Sequence, residues 1–133
     1  MVKKLVLGFC LTALAIAVGL AVLLSGRRPF AGLRAEDIRE ARVSLMPPDV
    51  EYVLTEEETE ELAALLREVV LYRRDDSYRE YSGQGVVFTL TMEDGNQVKA
   101  MDYNPFFVLD GEGYRTKYKP CEALNRFANQ LRE

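Results

Sequence analysis

Twenty consecutive residues without a charge, Leu5 to Leu24, constrain this chain more than any other feature in it. A helix rises about 1.5 Å per residue, so a run of this length makes a rod of about 30 Å, the thickness of a bilayer's hydrocarbon core. Lys3 and Lys4 stand before the run and Arg27 and Arg28 after it. The pattern predicts a transmembrane signal anchor over residues 1–26, with the membrane as a partner through residues 5–24. A cleavable signal peptide usually has an apolar region of about 7 to 15 residues ending at small side chains. Ala13, Ala15 and Ala17 offer such spacings, but in mid-run, where cleavage would leave an apolar tail.

Charge does not orient the span, because Lys3, Lys4 and the terminal amine oppose Arg27, Arg28 and Arg34. The arrangement is similar to an export signal, so the expected location is the cell membrane, single-pass, with the domain extracytoplasmic. The inverse topology is the alternative. Residues 27–35 mix Gly, Pro and Arg without periodicity and read as a juxtamembrane linker. Residues 36–133 are then about a hundred, the usual size of one domain.

All 21 acidic residues lie beyond position 26 with 15 of the 17 basic ones, so the body of the chain carries 15 minus 21, or −6. A nucleic-acid binder tracks phosphates with a basic stripe, so nucleic acid is not an expected partner. The chain has no histidine, which removes the commonest general base, the commonest zinc ligand and the Ser-His and Cys-His nucleophile pairs. The two cysteines are Cys10, inside the apolar run, and Cys121, so no disulfide forms within the domain. Neither a phosphate-binding glycine loop nor a C-x-x-C pair occurs. No catalytic residue, cofactor or metal is expected.

Alternating Ala41, Val43 and Leu45 predict a strand that Pro47 and Pro48 end, with Tyr52 and Leu54 as an extension after a bend. Thr55 with Glu58 is a capping box, and Leu62, Leu65, Leu66, Val69 and Val70 form a helical stripe behind it. Five glutamates crowd that helix start, where the dipole favours them. Residues 72–83 read as a polar connection. Strands follow around Phe88–Met92, Gln97–Tyr103 and Phe106–Asp110, the first pair joined by the turn residues Asp94-Gly95-Asn96. Tyr114 to Lys119 reads as a last strand, and Pro120 opens a helix with Leu124, Phe127, Ala128 and Leu131 on one face. The expected fold is α+β: a transmembrane helix, then a two-layer sandwich of about five antiparallel strands with two helices on one face, in the order β-α-β-β-β-β-α.

Along the expected last strand, Arg115, Lys117 and Lys119 alternate with Tyr114, Thr116 and Tyr118, placing three cations on one side. These three are the candidate binding residues, for a protein or an anionic envelope ligand; the bland reading is a solvated strand face. Asp102, Asn104, Asp110 and Glu112 offer oxygen ligands near two turns, but their spacing does not match a calcium loop, and Asn-Pro and Asp-Gly suit turns by themselves. Cys121 is expected to face inward as a small hydrophobe.

The stretches "YSGQGVVFTLTMEDG", "NPFFVLDGEGYRTKY" and "PCEAL" resemble small, uncharacterised bacterial membrane-anchored or lipoprotein-type proteins with one α+β domain. The resemblance spans most of residues 36–131 and implies an envelope location without naming an activity. Leu24-Ser25-Gly26 is similar to the residues before the lipidated cysteine of that group, where this chain has Arg27. The expected function is a membrane-anchored extracytoplasmic binding module. An acidic-residue enzyme or enzyme accessory built around Asp102, Asp110 and Glu112, and an inward-facing tethered regulator, are the alternatives.

Overall fold

The computed structural model describes residues 8–18 and 26–132. Residues 8–18 form a helix, α1, whose side chains are all exposed, among them Phe9, Leu11, Leu14 and Ile16. The expected span over residues 5–24 lies partly outside the described residues, and among the described residues no helix is long and apolar enough to cross a membrane.

The rest is α+β. Strands β1 (Ile38–Met46) and β2 (Val50–Val53) precede helix α2 (Glu56–Arg67); β3 (Leu71–Arg74) follows, then β4 (Gly85–Met92), β5 (Gln97–Tyr103), β6 (Phe106–Leu109), β7 (Glu112–Thr116) and helix α3 (Tyr118–Gln130). All seven strands join one antiparallel sheet in the order β2-β1-β4-β5-β6-β7-β3.

Two strands exceed the expected five, for different reasons. Val50–Val53 is a separate strand that folds back on β1, pairing Val43 with Tyr52 and Leu45 with Val50. Leu71–Arg74, expected as part of a polar connection, pairs with β7 at the sheet edge. An edge strand buries little: only Leu71 of the four is inside, so its sequence shows no apolar alternation.

Local chemistry sets the other elements. Thr55 Oγ1 accepts from the Glu58 amide at 3.2 Å while Glu58 Oε1 accepts from the Thr55 amide at 2.9 Å, the expected capping box. In the β4–β5 turn, Asp94 Oδ1 accepts from the Asn96 amide at 2.9 Å. Asp110 and Gly111 both have positive φ, 47° and 86°, which gives the tight β6–β7 hairpin its twist.

Helices α2 and α3 pack on each other and on one face of the sheet. Leu62, Ala63 and Leu66 meet Cys121, Leu124, Phe127 and Ala128 over Val43, Leu45, Val86, Phe88, Leu90, Ala100 and Phe107. On the opposite face, Tyr78 and Tyr81 cover Phe106 at ring-centroid distances of 6.4 and 5.3 Å. Gly113 allows this cover to close, since a Cβ there would run into the Asp75 carbonyl oxygen and lie 2.7 Å from the Tyr78 ring.

Residues 27–35 are not a linker. Arg27 and Leu71 exchange backbone hydrogen bonds of 2.9 and 2.8 Å, Arg28 donates twice to the Arg67 carbonyl at the end of α2, and Arg67 donates to the Leu33 carbonyl at 2.8 Å. Phe30 is buried, edge-on to Phe107 at 6.2 Å. Gly26, which sequence likens to a lipoprotein signal, has a conformational reason to be glycine: φ is +77°, and a Cβ would lie 2.7 Å from the Leu71 carbonyl oxygen. The folded body therefore begins by Gly26, ahead of the expected residue 36. Phe30→Ala is expected to destabilise it by about 3 kcal/mol. A urea midpoint unchanged by that substitution would return residues 27–35 to linker status.

Candidate functional site

The structure divides the three cations expected to share a strand face. Strand β7 ends at Thr116, Lys117 is the N-cap of α3, and Lys119 lies in that helix's first turn. The alternation that suggested one strand therefore crosses a strand-to-helix joint. Thr116 Oγ1 donates to the Val70 carbonyl at 2.7 Å, and the Lys117 amide donates to the same oxygen at 3.1 Å, which fixes the joint against the start of β3.

Arg115 stays on the sheet, where its Nε donates to Asp75 Oδ2 at 2.9 Å and its guanidinium stacks over Phe106 at 4.6 Å. Asp75 also receives the Ser77 hydroxyl at 2.6 Å and the Ser77 amide at 2.9 Å. The Ser77 hydroxyl, the Ser77 amide and then Arg115 hold the Asp75 carboxyl well below the usual carboxylate range. Arg115 is thus committed to holding the Asp75–Tyr81 segment over the sheet.

Lys117 and Lys119 instead meet Arg28 around a recess of about 460 Å³ between the end of α2 and the start of α3. Its remaining lining is Leu65, Glu68, Val70, Pro120 and Ala123. Glu68 pairs with Arg28 at 3.2 Å. Among the described residues neither lysine has a carboxylate within salt-bridge distance. Sequence reading found two of these cations through their spacing and missed Arg28, which only the Arg27–Leu71 pairing brings to the site.

A larger groove of about 770 Å³ lies where residues 34–40 approach the start of α2. Several of its charges are mutually engaged: Arg34 with Glu36 and Asp37, Arg39 with Glu93, and Arg67 with the Leu33 carbonyl. Three cations, Arg34, Arg39 and Arg67, stand in the lining against five glutamates, Glu36, Glu40, Glu56, Glu60 and Glu93, a net charge of 3 minus 5, or −2, that does not favour an anionic ligand.

The acids expected to gather do not. Asp110 Oδ1 accepts from the Lys99 amide at 3.1 Å, and Glu112 accepts from the Tyr114 hydroxyl at 3.0 Å, both at the β6–β7 turn. Asp102 is on the helix-covered face of β5 and 1% exposed, with no hydrogen-bond partner for either carboxylate oxygen. Burial pushes its pKa up to about 7, with the Cys121 thiol opposing this weakly. Burial and then the neighbouring Asp102 carboxyl push the Cys121 thiol up to about 12. Since Thr116 gives its hydroxyl proton to Val70, its oxygen is left to accept from the Cys121 thiol at 3.5 Å. A protonated thiol beside a protonated acid, sealed under α3, is inert toward an outside substrate. Among the described residues no three metal-ligating side chains of this kind converge.

Asp102 makes stability depend on pH with a definite sign. Its carboxyl holds a proton up to about pH 7 when folded but ionises near 3.8 when unfolded. Between those values the unfolded chain binds fewer protons, so stability falls as pH rises, by a total on the order of 4 kcal/mol. Asp75 and Asp76, held low, act oppositely and lose their contribution as pH falls through the ordinary carboxylate range. Asp102→Asn is expected to abolish the decline between about pH 4 and 7 and to leave the acid limb in place. Parallel urea midpoints for the two proteins across that range would refute the buried-acid account.

No protein-family model, curated protein or solved structure matches the chain, so its function is argued from the geometry above.

Proposed function

We propose that the chain is a single-span, membrane-tethered protein whose α+β domain stands outside the cytoplasm and binds an envelope partner without catalysing a reaction. One observation carries the reading. The apolar side chains of residues 8–18 stand uncovered, while the domain closes its own core without them. Large apolar side chains exposed together on a helix mark a surface that meets a partner or a membrane. Continuation of that apolar character from Leu5 to Leu24 favours the membrane.

A binding role is supported by what the domain leaves accessible. Asp102 and Cys121 are sealed, Asp110 and Glu112 hold a turn, and Arg115 is paired. The recess at Lys117 and Lys119 keeps cations unpaired among the described residues. The outward orientation rests on the export-like order of Lys3, Lys4 and the apolar run.

In cell fractionation the full chain is expected to stay in the membrane pellet through an alkaline carbonate wash, with residues 5–24 intact by mass spectrometry. Protease added to spheroplasts should digest the domain. A freely soluble polypeptide beginning after Leu24 would overturn the tether, and digestion only after lysis would overturn the orientation.

A further inference from the structure

We propose that the recess bounded by Arg28, Lys117 and Lys119 binds the phosphate-bearing headgroup of an anionic membrane lipid, an inference that rests on the tether proposed above. Three cations and one carboxylate give the recess a net charge of +2, against −6 for the chain beyond position 26. The concentration is therefore local and opposite in sign to the rest of the body. Beneath the charges lie Leu65, Val70, Pro120 and Ala123. An apolar floor under a cationic rim complements a headgroup phosphate joined to glycerol and the first acyl carbons. An acidic peptide would satisfy the rim but would set its polar backbone against that floor.

Position along the chain selects the same occupant. Arg28 is four residues past Leu24, and an extended residue spans at most about 3.6 Å, so the Arg28 backbone lies within about 14 Å of the end of the apolar run. Headgroups occupy the layer next to the hydrocarbon boundary, and basic residues that close to an anionic leaflet are attracted to it. Tyr72, in β3, and Tyr118, between the two lysines in the chain, are 46% and 60% exposed, as amphipathic rings are at a membrane interface. Tyr72 lies against Gly26, the first described residue after the apolar run, within 2.8 Å of where a Cβ would stand. At the start of α3 no side chain caps the helix.

The test uses the full chain reconstituted into vesicles of phosphatidylcholine alone or of phosphatidylcholine mixed with phosphatidylglycerol. Flotation on a density gradient reports the tether. A membrane-impermeant amine reagent, read by mass spectrometry, then reports the accessibility of Lys117 and Lys119, with exposed Lys99 as the control in the same chain. Labelling of Lys117 and Lys119 is expected to slow about fivefold with phosphatidylglycerol present, to recover in high salt, and to leave Lys99 unchanged. Flotation with equal labelling of the two lysines in both vesicles overturns the headgroup site and leaves the tether standing. Protection seen in native membranes but in neither vesicle assigns the recess to a protein and also overturns it. A chain that floats with neither vesicle overturns the tether and the headgroup site together.

Discussion

The carbonyl oxygen of Val70 accepts two hydrogen bonds, from the Thr116 hydroxyl and the Lys117 amide, and the placement of both candidate sites depends on it. Val70 lies between α2 and β3, so this oxygen ties the end of one helix to the start of the other. It ends the last sheet pairing of β7 and begins α3 one residue later. From there helical periodicity divides the side chains. Lys117 and Lys119 go to the recess, while Cys121 and Leu124 turn into the core. The same hydroxyl bond leaves the Thr116 oxygen free to accept from the Cys121 thiol. One acceptor thus organises an accessible cationic edge and a sealed polar pair less than a helical turn apart.

Carboxylates on the two faces of the sheet meet opposite fates. Asp75, on the face covered by a short segment, gathers the Ser77 hydroxyl, the Ser77 amide and Arg115, and ionises readily. Asp102, on the face covered by α3, has neither oxygen bonded and holds its proton. Burial without partners is costly for a charged group, and the chain meets that cost by neutralising the acid. A raised carboxyl pKa is a common mark of active sites, but that inference needs a cleft and a second group to work with. Here the neighbour is a thiol with its own pKa pushed up, and neither recess described above reaches the pair.

Much of this fold was legible because local signals and burial agreed. The Thr55–Glu58 capping box, the Asp94-Gly95-Asn96 turn and the Leu124–Phe127–Ala128 stripe each combine a local rule with a core-facing position. The misses occurred where they disagree. β3 pairs through its backbone while exposing Tyr72, Arg73 and Arg74, so nothing in its side chains announces a strand. The segment after Gly26 owes its place to backbone bonds with Leu71 and to one phenylalanine, neither of which has periodicity. Arg115 to Lys119 looked like one strand because alternating residues suit a strand and a helix start equally, and only the Val70 contact decides. Asp102 did leave a signal: Val98, Ala100 and Asp102 share one face of β5, so an acid closes an otherwise apolar row. Its consequence needed α3 overhead.

The direction of α2 links these charges to the place where the chain leaves its apolar run. Glu56, Glu57 and Glu58 crowd the helix start, where the dipole is positive, and Arg67 and Arg28 meet at its end, where the last carbonyls are exposed. Local helix electrostatics alone would produce this polarity. Because Arg28 reaches the α2 terminus from a backbone bridge at Arg27, however, the basic end of the helix is the one that contacts a residue only four positions past Leu24. A body of net charge −6 near an anionic leaflet would be repelled as a whole, and it can approach only with its cationic end leading. The bridge between Arg27 and Leu71 therefore joins two roles: the contacts that complete the sheet edge also place Arg28 at the cationic recess.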